Sequence, residues 1–114
     1  MFASYPDQNC AAQFGLPPKV PQQEFSNYLN HTAAQSQVAH FINGSLPALQ
    51  AGKQFLMMET NSASCGGFPG ISNSFGSALW GLDYGLQMAF HNFSGALLHV
   101  SGQNVYYNVG ANSI

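Results

Sequence analysis

The stretch Gln54-Phe55-Leu56-Met57-Met58-Glu59-Thr60 constrains the fold more than any other part of the chain. It is apolar without alternation, as a strand buried on both faces of a parallel sheet is, and it closes on a carboxylate. A loop rich in Ser and Gly follows from Asn61 to Ser74, with Gly66-Gly67 and Pro69-Gly70 inside it. Phe75, Leu79, Leu82, Leu86, Phe90 and Phe93 then recur at spacings of 4, 3, 4, 4 and 3. That row predicts an amphipathic helix with its apolar side on the core and Ser74 as N-cap. Ala78, Gly81, Gly85 and Ala89 form a second row, of small residues. A mid-helix Gly costs about 1 kcal/mol relative to Ala, and close approach of helix to sheet is the compensation expected. Gly95-Ala96-Leu97-Leu98-His99-Val100 reads as a second strand, so the sequence predicts a βαβ unit and an α/β class.

Upstream the pattern is weaker. Residues 1–23, with Pro6, Pro17, Pro18 and Pro21, read as irregular. From Glu24 to about Gly52 the reading is broken helix: one stripe of Phe25, Tyr28 and Leu29, another of Val38, Phe41 and Ile42. Asn43-Gly44 is expected to stop the second, with a last short turn beginning at Ser45-Leu46-Pro47. Length allows one domain. Charged residues are 5% of the 114, against roughly a quarter in an ordinary domain. Two Lys and no Arg cannot track phosphates, which excludes nucleic-acid partners and a basic membrane-surface helix. The apolar stretch near 78–93 is interrupted by Asp83, Gln87, His91 and glycines and is a poor membrane span. No signal peptide precedes Ala3, yet three sequons, at Asn30, Asn43 and Asn92, point to a secretory history.

Glu59 is the carboxylate that position singles out, because the C-terminal ends of parallel strands form the active face of α/β folds. Its bland reading is a loop carboxylate that accepts bonds from its own turn. Asp7 reads as a turn former, Glu24 as a first-turn helix acid, and Asp83 as a hydrogen-bonded helix residue. His31, His40, His91 and His99 lack metal spacing, so no metal or cofactor is expected. His99 reads as a core residue or one that faces the cleft. Cys10 and Cys65 are too far apart for a redox CxxC.

Three segments carry a resemblance: Glu59-Thr60-Asn61-Ser62-Ala63-Ser64-Cys65-Gly66-Gly67-Phe68-Pro69-Gly70, Phe75-Gly76-Ser77-Ala78-Leu79-Trp80-Gly81-Leu82-Asp83-Tyr84, and Gly102-Gln103-Asn104-Val105-Tyr106-Tyr107-Asn108. Together they resemble fungal glycoside hydrolase family 79, β-glucuronidase-like enzymes with a (β/α)8 TIM barrel and a smaller β-sandwich domain. The resemblance runs from about Tyr5 to Asn108. It implies a barrel fragment: the end of strand six, strand seven, its helix and strand eight. Residues 1–114 then form part of a catalytic barrel whose strands one to five, acid/base Glu and β-sandwich have no counterpart here. Where the family has a Gly, this chain has Ser101.

By that resemblance Glu59 is the nucleophile of a retaining hydrolase and Tyr5 the phenol that orients it. Gly66, Gly67, Gln103, Asn104 and Tyr106 become candidate contacts to a glucuronic-acid-containing glycan or glycoside, with Tyr107 an alternative. Lys53 is expected on the face opposite Glu59, so the glucuronate carboxylate would meet neutral donors. In the barrel reading the loops carrying Cys10 and Cys65 emerge side by side, which makes a disulfide the expectation. The family is secreted, and Asn30, Asn43 and Asn92 are candidate glycosylation sites. Without the acid/base Glu, the chain alone is expected to be inactive. The competing readings are an inactive barrel fragment and a non-catalytic carbohydrate-binding module; a heparanase-like endo action finds no basic groove.

Overall fold

The computed structural model describes residues 2–100. Strand β1 (Ala3–Ser4) is followed by a 3-10 turn (Ala11–Phe14) and helices α1 (Pro21–Tyr28), α2 (His31–Ala39) and α3 (Ile42–Gln50). Strand β2 (Leu56–Thr60), helix α4 (Phe75–Phe90) and strand β3 (Gly95–Leu98) complete the order. The three strands form one sheet, β1-β2-β3, parallel throughout. A parallel pair needs a crossover, and both crossovers run through helices, α1–α3 for the first and α4 for the second. The N-terminal segment expected to be irregular therefore contributes the edge strand β1, and α1 starts at Pro21, where a missing N–H costs nothing.

The register pairs Ala3 with Glu59 and Ser4 with Thr60 on one side of β2, and Leu56 with Gly95 and Met57 with Ala96 on the other. Thr60 then pairs with Leu98, so three steps along β2 match two along β3, a bulge around Met58 and Glu59. A bulge breaks the two-residue alternation and re-aims side chains. Met58 and Glu59 are accordingly both exposed in succession.

Helix α4 corrects the sequence reading of its inner face. Its buried row is Gly76, Trp80, Tyr84 and Met88, one residue every four. The expected core row points outward: Phe75 is 76% exposed, Leu82 63% and Phe90 79%. Phe93, beyond the helix, is buried and meets Phe55 edge-on. Trp80 stacks on Tyr84 with centroids 5.0 Å apart and meets Tyr28 edge-on at 6.1 Å. These rings join Met57, Val38, Ala34, Phe68 and Ile71 in the core. The aromatic row offers large area and ring contacts on the covered side, and that outweighs a longer row of Leu. A Cβ at Gly81 or Gly85 would meet nothing, so close approach to the sheet is not what these two glycines serve. Gly76 is different: a Cβ there would stand 2.7 Å from the Phe25 ring.

Nor does Asn43-Gly44 stop a helix. The break falls earlier, after Ala39, and α3 runs through both residues and through Pro47. Gly44 is needed there because the Phe55 ring lies 2.8 Å from where its Cβ would be. The strands are not covered on both faces among the described residues, since Met58, Leu97 and Leu98 are exposed.

Candidate active site

Parallel topology aligns the C-terminal ends of all three strands, and a side chain from each converges there. Tyr5 follows β1, Glu59 lies in β2 and His99 follows β3. The Tyr5 hydroxyl donates to Glu59 Oε1 at 2.7 Å and lies 3.1 Å from His99 Nδ1. His99 Nδ1 is 3.9 Å from the same carboxylate oxygen. The Glu59 side chain is 50% exposed and that of His99 42%, so the group opens outward.

The backbones beneath are tied. Thr60 Oγ1 donates to the Ser4 carbonyl at 2.6 Å, fixing the end of β1 against β2. His99 N–H donates to the Thr60 carbonyl at 2.9 Å, and the His99 carbonyl accepts from Asn61 Nδ2 at 2.8 Å. Gln37 Nε2 donates to Ser4 Oγ at 3.0 Å, anchoring β1 to α2. Burial pushes the Tyr84 phenol above its ordinary value of 10.0, opposed by the Thr60 and Ser4 side chains.

The loop after Glu59 is held by polar groups turned inward. The buried Tyr28 hydroxyl donates to the Ser62 carbonyl at 2.6 Å. Ser62 Oγ donates to Ser72 Oγ at 2.7 Å, and Ser72 Oγ accepts from Phe68 N–H at 2.8 Å. Ser64 N–H donates to the Asp7 carbonyl at 2.9 Å. A disulfide joins Cys10 to Cys65, with Cα atoms 5.8 Å apart. Cys65, Gly66 and Gly67 take φ of 61°, 83° and 93° in succession. Two glycines after Cys65 make that left-handed run affordable. Ser74 sits at the N-cap of α4, but its hydroxyl donates back to the Ile71 carbonyl.

The other carboxylates are engaged elsewhere. Asp7 is nearly buried and pairs with Lys19 at 2.6 Å, which raises the Lys19 pKa. Asp83 pairs with His31 at 2.7 Å, and Glu24 accepts from Asn27. A cavity of about 440 Å³ beside β1 is lined by Tyr5, Asp7, Lys19, Gln37 and Trp80 among others; Glu59 is not in its wall. Among the described residues no three His, Cys, Asp or Glu side chains gather as a metal ion would need. No helix there is long and apolar enough to cross a membrane. Asn30, Asn43 and Asn92 are all exposed, Asn30 as the N-cap of α2. Gln103, Asn104, Tyr106 and Tyr107 lie outside the described residues.

Asn61 had no role in the sequence reading, and His99, read there as a core residue or one that faces the cleft, is exposed and joins the group. The signal was available for His99, a titratable residue closing the second strand.

Comparison with known proteins shows what this arrangement is similar to. Over 83 residues, 69% of the chain, it is 40% identical to a β-glucuronidase of Aspergillus niger. The chain is similar to one segment of fungal β-glucuronidases. A β-glucuronidase of Neurospora crassa is 38% identical over 82 residues. The matches span 15% and 14% of those two proteins. The crystal structure of a 4-O-α-L-rhamnosyl-β-D-glucuronidase from Fusarium oxysporum, in complex with Rha-GlcA, superposes with a TM-score of 0.72 and 28% identity. That superposition covers 92% of this chain and 21% of the Fusarium protein. No protein-family model matches. The α/β arrangement of parallel strands and helices thus corresponds to part of a glycoside hydrolase structure.

Proposed function

We propose that this chain supplies the nucleophile strand of a retaining β-glucuronidase of glycoside hydrolase family 79, with β1, β2 and β3 as strands six to eight of a (β/α)8 barrel. The observation that carries this reading is the Glu59 carboxylate on the middle parallel strand, held by a phenol at 2.7 Å. The open surfaces support the barrel. Parallel sheets are covered on both faces, and the bare Met58, Leu97 and Leu98 and the outer row of α4 are the surfaces that further strands and helices would cover.

In the retaining mechanism Glu59 attacks the anomeric carbon as the glycosidic bond breaks, and the leaving oxygen takes a proton from a second carboxylic acid. That acid then deprotonates the water which cleaves the glycosyl ester. Tyr5 keeps one Glu59 oxygen occupied, so the other is presented for attack. Asp7 does not serve as the acid, because its carboxylate is nearly buried and engaged by Lys19. The acid therefore comes from chain outside these 114 residues, and the 114 residues alone do not hydrolyse an aryl β-glucuronide. Secretion and glycosylation at Asn30, Asn43 and Asn92 belong to the same reading. A carbohydrate-binding module is disfavoured because Trp80, Tyr84 and Tyr28 pack on one another in the core rather than standing exposed on the surface.

In the full-length enzyme, Glu59→Ala abolishes turnover, and azide restores it with formation of the α-glucuronosyl azide. Undiminished hydrolysis by that variant would remove the assignment.

A further inference from the structure

Among the described residues a carboxylate and an imidazole meet at one phenol, and a phenol carries one proton. Tyr5 stands 2.7 Å from Glu59 Oε1 and 3.1 Å from His99 Nδ1. An ionised carboxylate accepts only, and an imidazole nitrogen donates or accepts according to its tautomer. If Nδ1 accepted, two acceptors would compete for one proton, and Glu59 would lose its donor whenever the phenol turned. If Nδ1 carries hydrogen, the chain of bonds runs one way: Nδ1–H to the phenol oxygen, phenol O–H to the carboxylate. Each bond then polarises the next.

We infer that His99 is a positioning residue, which as the Nδ1–H tautomer donates to Tyr5 and thereby directs the Tyr5 proton onto Glu59. This rests on the proposed role of Glu59 for its catalytic meaning, but not for the proton arrangement itself. The placement of His99 is built into the backbone. Its N–H and carbonyl are both bonded to the end of β2, at Thr60 and at the Asn61 side chain. Asn61 is itself buried, and its Oδ1 accepts from Ser62 N–H at 2.7 Å, so its amide cannot rotate freely. The ring therefore meets the phenol by construction. Tyr5 and Glu59 both face it, and Asp7 and Lys19 are occupied with each other.

The test uses the 114-residue chain labelled with ¹⁵N histidine. Long-range ¹H–¹⁵N spectra, taken above the pH at which the ring titrates, report the tautomer of each imidazole. The expected result is Nδ1–H on His99, reverting to a mainly Nε2–H ring in Tyr5→Phe, with the signals of the other histidines unmoved. In the full-length enzyme His99→Asn, whose amide can donate from a similar place, retains kcat within several-fold. His99→Leu lowers kcat by about tenfold or more at little change in KM. An Nε2–H tautomer in the unmodified chain, or one indifferent to Tyr5→Phe, overturns the inference. So does a His99→Leu enzyme with unchanged kcat. An Nδ1–H ring together with full activity in Glu59→Ala would sink the nucleophile assignment and leave the proton arrangement standing.

Discussion

The loop after Glu59 and the outer face of α4 invert the usual distribution of polarity. At the end of β2 and in the loop, Thr60, Asn61, Ser62 and Ser72 are buried, and each has a hydrogen-bond partner. On the helix, Phe75, Leu79, Leu82, Leu86 and Phe90 face outward. Burying hydroxyls and amides is tolerable only when each finds a partner, and the partners here also fix geometry. Exposing a row of Leu and Phe is tolerable in a longer protein whose other elements lie against it. The contrast separates what these residues complete by themselves, the strand-end group, from what they leave open, the surround.

The largest effect should come from the disulfide. Cys10 and Cys65 are separated by 55 residues, and closing a loop of that length contributes about 4 kcal/mol in the chain-entropy picture. Reduction, or Cys10→Ser with Cys65→Ser, should lower the urea midpoint accordingly and increase amide exchange first between Asn61 and Ser74. Equal loosening of α4 would break the distinction between the two regions.

Tyr28→Phe comes next. It leaves the Ser62 carbonyl without its 2.6 Å donor while changing little volume, a loss of about 1–3 kcal/mol in denaturant unfolding. Alkali should produce a smaller decline. Lys19 is shifted upward by its hydrogen bond to Asp7, and Tyr84 by burial. Both folded values exceed the ordinary 10.5 and 10.0, so the protonated forms favour folding. Their contribution is intact below about pH 10 and fades as pH climbs through the raised values. Unfolding curves between pH 9 and 12 should show it, with the Lys19 part removed by Lys19→Met.

Leu82→Ser should do least, changing the stability of the 114-residue chain by less than about 0.5 kcal/mol. In a longer protein that includes these residues and covers α4, the same change should cost about 1.5–3 kcal/mol. Equal costs in both settings would show that the outer face is naturally bare.

Much of the frame was legible. Continuous apolarity in residues 54–60 and 95–100 marked parallel strands, and the spacing from Phe75 marked the helix. The covered face of α4 was not legible, because periodicity reports which residues share a row and not which row meets the sheet. Trp80, Tyr84 and Met88 form a shorter row, and the longer row of Leu and Phe outvoted it. Helix α3 was misread because Asn43-Gly44 looks like a stop, and only the Phe55 ring, eleven residues on, explains the glycine. Strand β1 is two residues long, too short for any period. In the site, position alone flagged Glu59, whereas His99 and Asn61 gain meaning only from a register that brings β3 beside β2.

One measurement bears most directly on Glu59. A 2-deoxy-2-fluoro-β-glucuronosyl fluoride has a leaving group that needs no protonation, and its 2-fluorine slows hydrolysis of the ester that forms. Under the proposed function, an enzyme that includes these 114 residues, treated with this reagent, digested and examined by mass spectrometry, should carry one fluoroglucuronosyl group on the peptide containing Glu59. The label should be absent in Glu59→Gln. A label on any other carboxylate, or an enzyme that is inactivated without a covalent adduct, would contradict the assignment of Glu59 as the nucleophile.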